Sequence, residues 1–397
     1  MAELLGSQGM LTCTGDAFKS TRLERMLAPR GLTNSYKLLW LRGVFEEVVD
    51  GNADMSFARI VARMVAASWY PIVYYRLSFG LQDKMGECVD AVRDAHGLSG
   101  DAKSSEIIAA VEGSENPEVR RCIKERCKYV PHLLIRLFYE DSMRDEQERV
   151  GKRLGDIAIR NAIVAANRSD SAGAPYVFNE AFDGLTVDPK WAAYFRDNQQ
   201  IVRGWLDMKL VRYLQDRNPS MPAIPLKIYP PQTRNLGAAT RYWKEALALA
   251  GLREIYTGVP FTEDALQERG GLSIDHFIPW SFVLHDEPWN LVPMFKNANS
   301  SKGDRLPDLG DFLVPFASQQ FDALMAVRNT GRHRKVLEAY LQIEPNFESF
   351  ENTASCREAF IDDIGKAIRP LHQIARNQGF DIWRPTVECV YDGVREG

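Results

Sequence analysis

Cysteine is scarce in this chain, with six residues among 397, and no two of them form a C-x-x-C pair. So few cysteines in a chain of this length are typical of a reducing compartment and argue against a disulfide scaffold. The same scarcity leaves a zinc site made of cysteines alone without support in the sequence.

Long apolar runs are also missing. The stretch closest to a membrane segment spans residues 64–75, is interrupted by Pro71 and lies between Arg63 and Arg76. A helix needs about 20 apolar residues to cross a bilayer, so we interpret this stretch as a buried helix and expect no membrane association. The first 13 residues lack the basic start and the sustained apolar core of a secretory signal, and a cytoplasmic protein is expected.

An excess of positive charge is absent as well, since the formal net charge is -4. Hydrophobic residues make up 45% and charged residues 26% of the chain, which is typical of a soluble globular protein. This composition excludes a largely disordered chain, a collagen-like repeat and a multi-span membrane protein. Any nucleic-acid site must therefore be a local feature on a mildly acidic body.

The length exceeds what one hydrophobic core usually serves, so two domains are the natural expectation. Five of the 20 prolines fall between residues 219 and 231, where they exclude a helix interior. We therefore place a domain border there. The fold class predicted from the patterns below is α+β and mostly α-helical.

Apolar residues recur at helical spacing through most of the chain. This spacing predicts helices over residues 36–49, 56–79 with a break at Pro71, 107–111, 119–138, 191–214, 239–250, 311–327, 334–343 and 354–377. Strand-like patterns occupy residues 255–261, 272–278 and 291–295. A short helix is expected from Ala298 onward, stopped by Gly303 and Pro307.

The segment from residue 272 to residue 306 concentrates the polar chemistry. It reads strand, loop, strand and helix, with Asp275 and His276 adjacent on the first strand and Asn299 on the helix, 24 residues after Asp275. Neighbouring strand residues point to opposite faces, although a bend at Pro279 would bring both side chains to the rim of one site. A carboxylate and an amide oxygen suit Mg²⁺, and a neutral imidazole can deprotonate water for attack on phosphorus.

The pattern Asp275-His276, then Asn290, then Asn299-x-x-Lys302 resembles the HNH endonucleases with their ββα-metal site. It is most similar to the HNH domain of the RNA-guided CRISPR nucleases, which show DH-x-x-P-x-S-F, a middle Asn and N-x-x-K at similar separations. The resemblance covers about 35 residues, under a tenth of the chain. Because the chain lacks the C-x-x-C pairs of many family members, it resembles the zinc-free branch.

The resemblance implies a role for each matching residue. His276 would be the general base that activates water, while Asp275 and Asn299 would hold Mg²⁺ or Mn²⁺. Asn290 would belong to the catalytic motif through a structural role, tying the loop beside His276, although a plain turn residue is the alternative. Asn297 competes with Asn299 for the third position but lacks the following x-x-Lys pattern.

Three basic residues are the candidates for contact with nucleic acid: Lys296, Lys302 and Arg305. Solvated helix charges are the alternative reading for Lys302 and Arg305. The turn from His285 to Pro288 presents a histidine and two carboxylates, which would form either a second metal site or, more simply, a polar turn.

With these assignments the predicted regions are a helical N-terminal domain (1–218), a proline-rich linker (219–232), an HNH nuclease domain (233–310) and a helical C-terminal region (311–397). The expected function is a metal-dependent endonuclease acting on DNA, a nickase as a monomer. Partner proteins of a bacterial anti-phage defence system such as Zorya fit this resemblance. The alternatives are an RNA-cleaving HNH enzyme and a non-catalytic module that binds nucleic acid or protein through a degenerate HNH fold. The oligomeric state is open.

Overall fold

The computed structural model describes residues 17–28, 33–346 and 349–385. The first 13 residues, searched above for a secretory signal, lie outside this part, as do Cys13 and Cys389. The four described cysteines, Cys88, Cys122, Cys127 and Cys356, carry free thiols.

Helices dominate the structure, and the sheets are few and small, which confirms the mostly α-helical α+β class. Contacts divide the chain into two units. The first contains residues up to 219 together with 224–231, and the second contains 220–223 and the residues from 232 onward. The helices after residue 308 therefore belong to the same unit as the HNH-like segment.

The first unit is built from twelve α-helices and three strands within the described residues. The helices are α1 (Ala17–Met26), α2 (Tyr36–Val49), α3 (Phe57–Trp69), α4 (Met85–His96), α5 (Ser104–Glu112), α6 (Pro117–Cys127), α7 (Val130–Leu134), α8 (Glu140–Val150), α9 (Asp156–Ser169), α10 (Pro189–Asp197), α11 (Gln199–Arg217) and α12 (Ile224–Lys227). The strands are β1 (Asp54–Ser56), β2 (Tyr176–Phe178) and β3 (Gly184–Val187), and they form an antiparallel sheet in the order β1-β3-β2.

This small sheet was missed by sequence reasoning, which read the first half as helical. Its strands are three or four residues long, too short for an alternating pattern to stand out. The predicted helix over residues 191–214 is also wrong as one element. Asn198 divides it into α10 and α11, because its side-chain amide and its backbone N–H both bond the Tyr194 carbonyl.

The second unit contains seven α-helices and four strands in its described part. In chain order they are α13 (Gly237–Ala250), α14 (Glu263–Glu268), β4 (Leu272–His276), α15 (Trp280–Val283), β5 (Leu291–Phe295), α16 (Lys296–Lys302), β6 (Leu306–Pro307), α17 (Leu309–Val327), α18 (Arg334–Ala339), α19 (Ala354–Asn377) and β7 (Ile382–Trp383). Predictions for α13, β5, α17 and α19 are confirmed within two residues.

The predicted strand over residues 255–261 is wrong. The buried carboxylate of Glu254 accepts hydrogen bonds from the backbone N–H groups of Tyr256 and Thr257, at 3.0 and 2.7 Å, and from the Thr257 hydroxyl. These local bonds close a turn, which leaves a single isolated bridge between Arg253 and Pro260.

The core of the second unit packs against the HNH-like segment. All five residues of β5 are buried, and the Phe277 ring stacks on Phe316 of α17 with centroids 4.0 Å apart. Gln320 of α17 donates a hydrogen bond to the Leu291 carbonyl at 2.6 Å. The parallel pair β6–β7 brings the buried Trp383 against α16, where its indole N–H donates to the Ser301 hydroxyl at 3.2 Å.

Within the described residues, no helix combines the length and the apolar character that crossing a membrane requires.

A buried ionic cluster connects α2 and α3 in the first unit. The Glu47 side chain is 1% exposed and accepts hydrogen bonds from Arg59, Arg63 and Asn52. Burial opposes ionisation, but the bonds from these partners outweigh it and hold the pKa of Glu47 below its ordinary value.

Replacing Glu47→Gln should lower the free energy of unfolding by about 3 kcal/mol, because two partly buried guanidinium groups lose their shared anion. The pKa of Glu47 is lower in the folded state, so this stabilisation is present above the ordinary carboxyl range and is lost as the pH falls through the folded pKa. Urea denaturation at pH 7 and at acid pH measures both effects. Glu112→Gln is the matched control. Glu112 bonds Arg59 at the surface, so this substitution should lower the free energy of unfolding by under about 1 kcal/mol.

Candidate active site

The frame of the site is a two-stranded hairpin covered by a short helix. Strand β4 pairs antiparallel with β5, with Asp275 opposite Val292 and His276 opposite Leu291. Helix α16 follows β5 directly and packs on both strands. The order β4, β5, α16 is the strand, strand and helix order expected from the sequence.

One face of β4 meets α16 through two matched contacts. Ser273 and Asp275 are two residues apart and therefore share a face of the strand. Asn299 and Lys302 are three residues apart and share a face of the helix. The Asn299 amide donates to the Ser273 hydroxyl at 2.6 Å, and Lys302 Nζ donates to Asp275 Oδ2 at 2.7 Å. The side chains of Asp275 and Asn299 are thereby held in the same strand–helix interface.

His276 lies on the other side of the strand and is 1% exposed. Its Nε2 donates to Asp286 Oδ1 at 2.9 Å, and Arg234 approaches its Nδ1 at 3.5 Å. The hydrogen bond from His276 holds the pKa of Asp286 below its ordinary value, although burial works against it. Asp286 is therefore ionised, which places the imidazole proton on Nε2 and leaves the lone pair on Nδ1.

Asn290 closes the loop between the two strands. It is fully buried, its Oδ1 accepts from Ile278 N at 2.8 Å, and its Nδ2 donates to Ile278 O at 2.9 Å. The Asn290 carbonyl also accepts from Phe277 N at 2.8 Å. The Phe277 bond continues the β4–β5 pairing, whereas the Ile278 backbone bonds the Asn290 side chain instead of a strand, so β4 does not reach its predicted end at Ile278.

The donor set at the strand–helix interface fits a divalent cation that takes few protein ligands. In the described part of the chain, neither Asp275 Oδ1 nor Asn299 Oδ1 has a hydrogen-bond partner. One carboxylate oxygen and one amide oxygen are the hard ligands that suit Mg²⁺ or Mn²⁺, with water completing the coordination. Among residues 17–28, 33–346 and 349–385, no group of three or more His, Cys, Asp and Glu residues is arranged to hold a metal.

Residues 254–308 match the family model of the HNH endonucleases. The matched range begins at the Glu254 turn and ends at Asp308, whose carboxylate accepts from Gly310 N at the start of α17. This HNH segment, residues 254–308, thus contains β4, β5 and α16. It also contains every residue that contacts Asp275, His276, Asn290 or Asn299 in the paragraphs above, except Arg234. No curated protein and no solved structure was found to match the chain.

The HNH segment places the three basic candidates differently from one another. Lys302 is 0% exposed, and its Nζ donates to Asp275 and, at 2.9 Å, to the His276 carbonyl, so in this arrangement it has no access to a phosphate. Arg305 is exposed but follows the end of α16, where its guanidinium donates to the carbonyls of Ser301 and Lys302. Lys296 is exposed at the first position of α16.

Sequence reasoning missed two side chains that contact His276. Asp286 was visible only as part of a polar turn or a second metal site, and the structure uses its carboxylate as the partner of His276. Arg234 precedes the HNH segment by 20 residues, so no spacing rule connects it to the site. Its guanidinium also lies 5.3 Å from the centre of the Trp280 ring. Tyr242 and Trp243, which follow Arg234 in the chain, are buried, so their rings offer no surface on which a nucleobase could stack.

Replacing Asn290→Ala should lower the free energy of unfolding by roughly 2–4 kcal/mol, because a buried N–H and a buried carbonyl of Ile278 both lose their partner. Thermal and urea denaturation measure this loss. Asn297→Ala is the control, since within the described residues the Asn297 side chain bonds only the neighbouring Ala298 N–H and the change should stay within about 1 kcal/mol. Equal losses in the two variants would contradict the structural role of Asn290.

Proposed function

We propose that this chain is a divalent-metal-dependent endonuclease that hydrolyses phosphodiester bonds of DNA. The observation that carries the proposal is the arrangement at the end of β4 within the HNH match. There, the Asp275 carboxylate of β4 and the Asn299 amide of α16 lie in one strand–helix interface, and a histidine oriented by Asp286 lies on the opposite side of the strand.

The metal would be held by Asp275 Oδ1 and Asn299 Oδ1. When bound, the cation supplies Lewis-acid stabilisation of the charge that develops on the phosphate and the leaving oxygen. Lys302 occupies the other oxygen of Asp275, so it fixes the carboxylate rather than the substrate. Ser273 likewise fixes the amide of Asn299 by accepting its hydrogen bond.

His276 is the proposed general base, and Nδ1 is the atom that takes the proton from water. Asp286 holds the proton on Nε2 and stabilises the imidazolium that forms after proton transfer. Arg234 is the weaker partner of the ring, at 3.5 Å, so a phosphate oxygen that binds its guanidinium draws it away from Nδ1. Opening of this contact gives water access to the buried base.

One such site cuts one strand, so a monomer is proposed to act as a nickase. Exposed Lys296 and Arg234 are the cations proposed to hold the DNA backbone beside the site. The net charge of -4 gives little attraction for DNA outside it, and we propose that a partner delivers or restrains the nuclease. Defence against phage is the setting that the resemblance to HNH effectors suggests.

Replacing His276→Ala should lower the rate of nicking of supercoiled plasmid in Mg²⁺ by about 10²–10⁴-fold, because the general base is removed. Asp286→Asn should lower kcat by roughly 10–100-fold with little change in KM, since it disturbs the orientation and charge of His276 rather than substrate binding. The conversion of supercoiled into open-circular plasmid on a gel, with an EDTA control, measures both.

His333→Ala is the matched control for this experiment. His333 Nε2 donates to Glu245 Oε2 at 2.7 Å, so the variant removes another histidine–carboxylate pair from the same unit and should leave nicking unchanged. Full activity of His276→Ala would show that His276 is not the general base. Cleavage of RNA but not of DNA by the wild type would show that the substrate is RNA, and the proposed site residues would stand.

Replacing Asp275→Asn should abolish the rise in melting temperature that Mn²⁺ causes in the wild type, because a charged metal ligand is lost. Melting curves with and without Mn²⁺ measure this, and the curve without metal shows separately the loss of the Lys302 contact. Asp264→Asn, an exposed carboxylate on α14, should retain the full shift. An unchanged shift in Asp275→Asn would place the metal elsewhere.

A further inference from the structure

A polar cavity in the first unit has no part in the proposed nuclease chemistry. It measures about 510 Å³ and lies among the start of α2, the end of α6, α7, the turn at Arg136 and the start of α9. This volume is within the ~300–1,000 Å³ range of small-molecule sites. We call it the α2–α9 cavity, and its principal lining residues are Lys37, Arg126, Tyr129, His132, Arg136 and Asp156.

The lining of the α2–α9 cavity includes two cations that lie close to each other. Lys37 and Arg136 have no ion pair or hydrogen bond with another side chain in the described part of the chain. Burial, and then the charge of Arg136, lower the pKa of Lys37. No carboxylate contributes to this shift, although Glu125 and Asp156 also line the cavity. An anion in the cavity would therefore interact with the half-buried Lys37 and the exposed Arg136 together.

Two further polar side chains on the wall are nearly completely buried and incompletely bonded. Arg126 is 8% exposed and stacks over the Tyr36 ring at 4.5 Å. It donates a bond to the Lys84 carbonyl at 3.0 Å and bonds the Cys88 thiol, while its Nε has no partner. His132 is 1% exposed, and its Nδ1 has no partner. Buried polar atoms are normally satisfied, so these atoms point to a missing hydrogen-bonding group.

His132 and Tyr129 add a different chemistry to the lining of the α2–α9 cavity. Burial and the charge of Arg160 lower the pKa of His132 to about 4, while Asp156 acts in the other direction. His132 is therefore neutral at pH 7 and can both donate and accept a hydrogen bond. The ring of Tyr129, which is 39% exposed, offers an aromatic surface on the same wall. A lining that combines cations with a hydrogen-bonding imidazole and an aromatic ring matches a phosphorylated organic molecule.

The neighbouring cations of α6 argue against a nucleic-acid track at this place. Arg120 pairs with Glu115 and Arg121 pairs with Glu118, so the helix does not present a continuous basic face. The charges of Lys37 and Arg136 lie on a concave wall instead. A small anion reaches this wall, whereas a long backbone needs a stripe of charge.

We propose that the α2–α9 cavity binds a phosphate-bearing small molecule, with Lys37 and Arg136 as the phosphate ligands and Arg126 and His132 as further hydrogen-bond partners. This site is independent of the proposed nuclease function, since it shares no residue with the HNH segment.

The test is isothermal titration calorimetry and thermal melting of the full chain with ATP and with inorganic triphosphate, in EDTA. Either probe should bind and raise the melting temperature. Tighter binding of ATP would show that the nucleoside contributes, and equal binding would assign the site to the phosphates alone. The variant Lys37→Gln/Arg136→Gln should weaken binding at least about tenfold, the loss expected when about 1.4 kcal/mol of interaction is removed.

A second readout separates loss of a binding site from loss of the fold. Without ligand, the double variant should melt at a similar temperature, because neither side chain forms an ion pair within the described residues that the substitution would break. Lys124→Gln, an exposed cation of α6 outside the cavity, should bind both probes normally, and plasmid nicking should be the same in all three proteins. The proposal is overturned if neither probe binds, if Lys124→Gln weakens binding equally, or if a short DNA strand displaces the probes through the same two residues.

Discussion

The candidate site depends on one buried ammonium group. Lys302 Nζ is enclosed between Asp275 Oδ2 and the His276 carbonyl, and a buried charge is tolerated only when its hydrogen bonds are satisfied in this way. The pair of bonds fixes α16 against the end of β4. With α16 in place, Asn299 meets Ser273, and the two candidate metal ligands share one interface. A single lysine therefore sets the geometry that the chemistry needs.

The two faces of β4 carry different parts of the candidate site. Asp275 faces α16, whereas His276 faces the loop that carries Asp286. Asn290 keeps this loop in position, because its side chain holds both backbone groups of Ile278. Below the hairpin, Phe316 and Gln320 of α17 support β4 and β5. The short HNH segment thus obtains its rigidity from helices that lie after it in the chain.

Several clusters of charged residues in this protein are compensated locally by ion pairs. Arg332 and His333 contact Glu245, Arg334 pairs with Glu338, and Glu47 is shared by Arg59 and Arg63. Within the described residues, Arg234 beside His276 forms no ion pair, although its charge interacts with that of Asp286, and Lys37 and Arg136 form none either. Cations without an ion pair can bind an anion, and these positions are the proposed sites for phosphate in the two units.

The sequence by itself determined the helical class and several element positions, and it singled out Asp275, His276, Asn290 and Asn299 as a candidate group, because periodicity and motif spacing are local properties of the chain. Tertiary structure alone decided what those residues touch. Lys302 turned inward, Asp286 became the partner of His276, and Arg234 arrived from outside the motif. Hydrogen bonds between the side chains of Asn198 and Glu254 and nearby backbone groups also divide one predicted helix and replace one predicted strand by a turn. Burial and hydrogen bonding between distant segments select such contacts, and a spacing pattern contains no information on them.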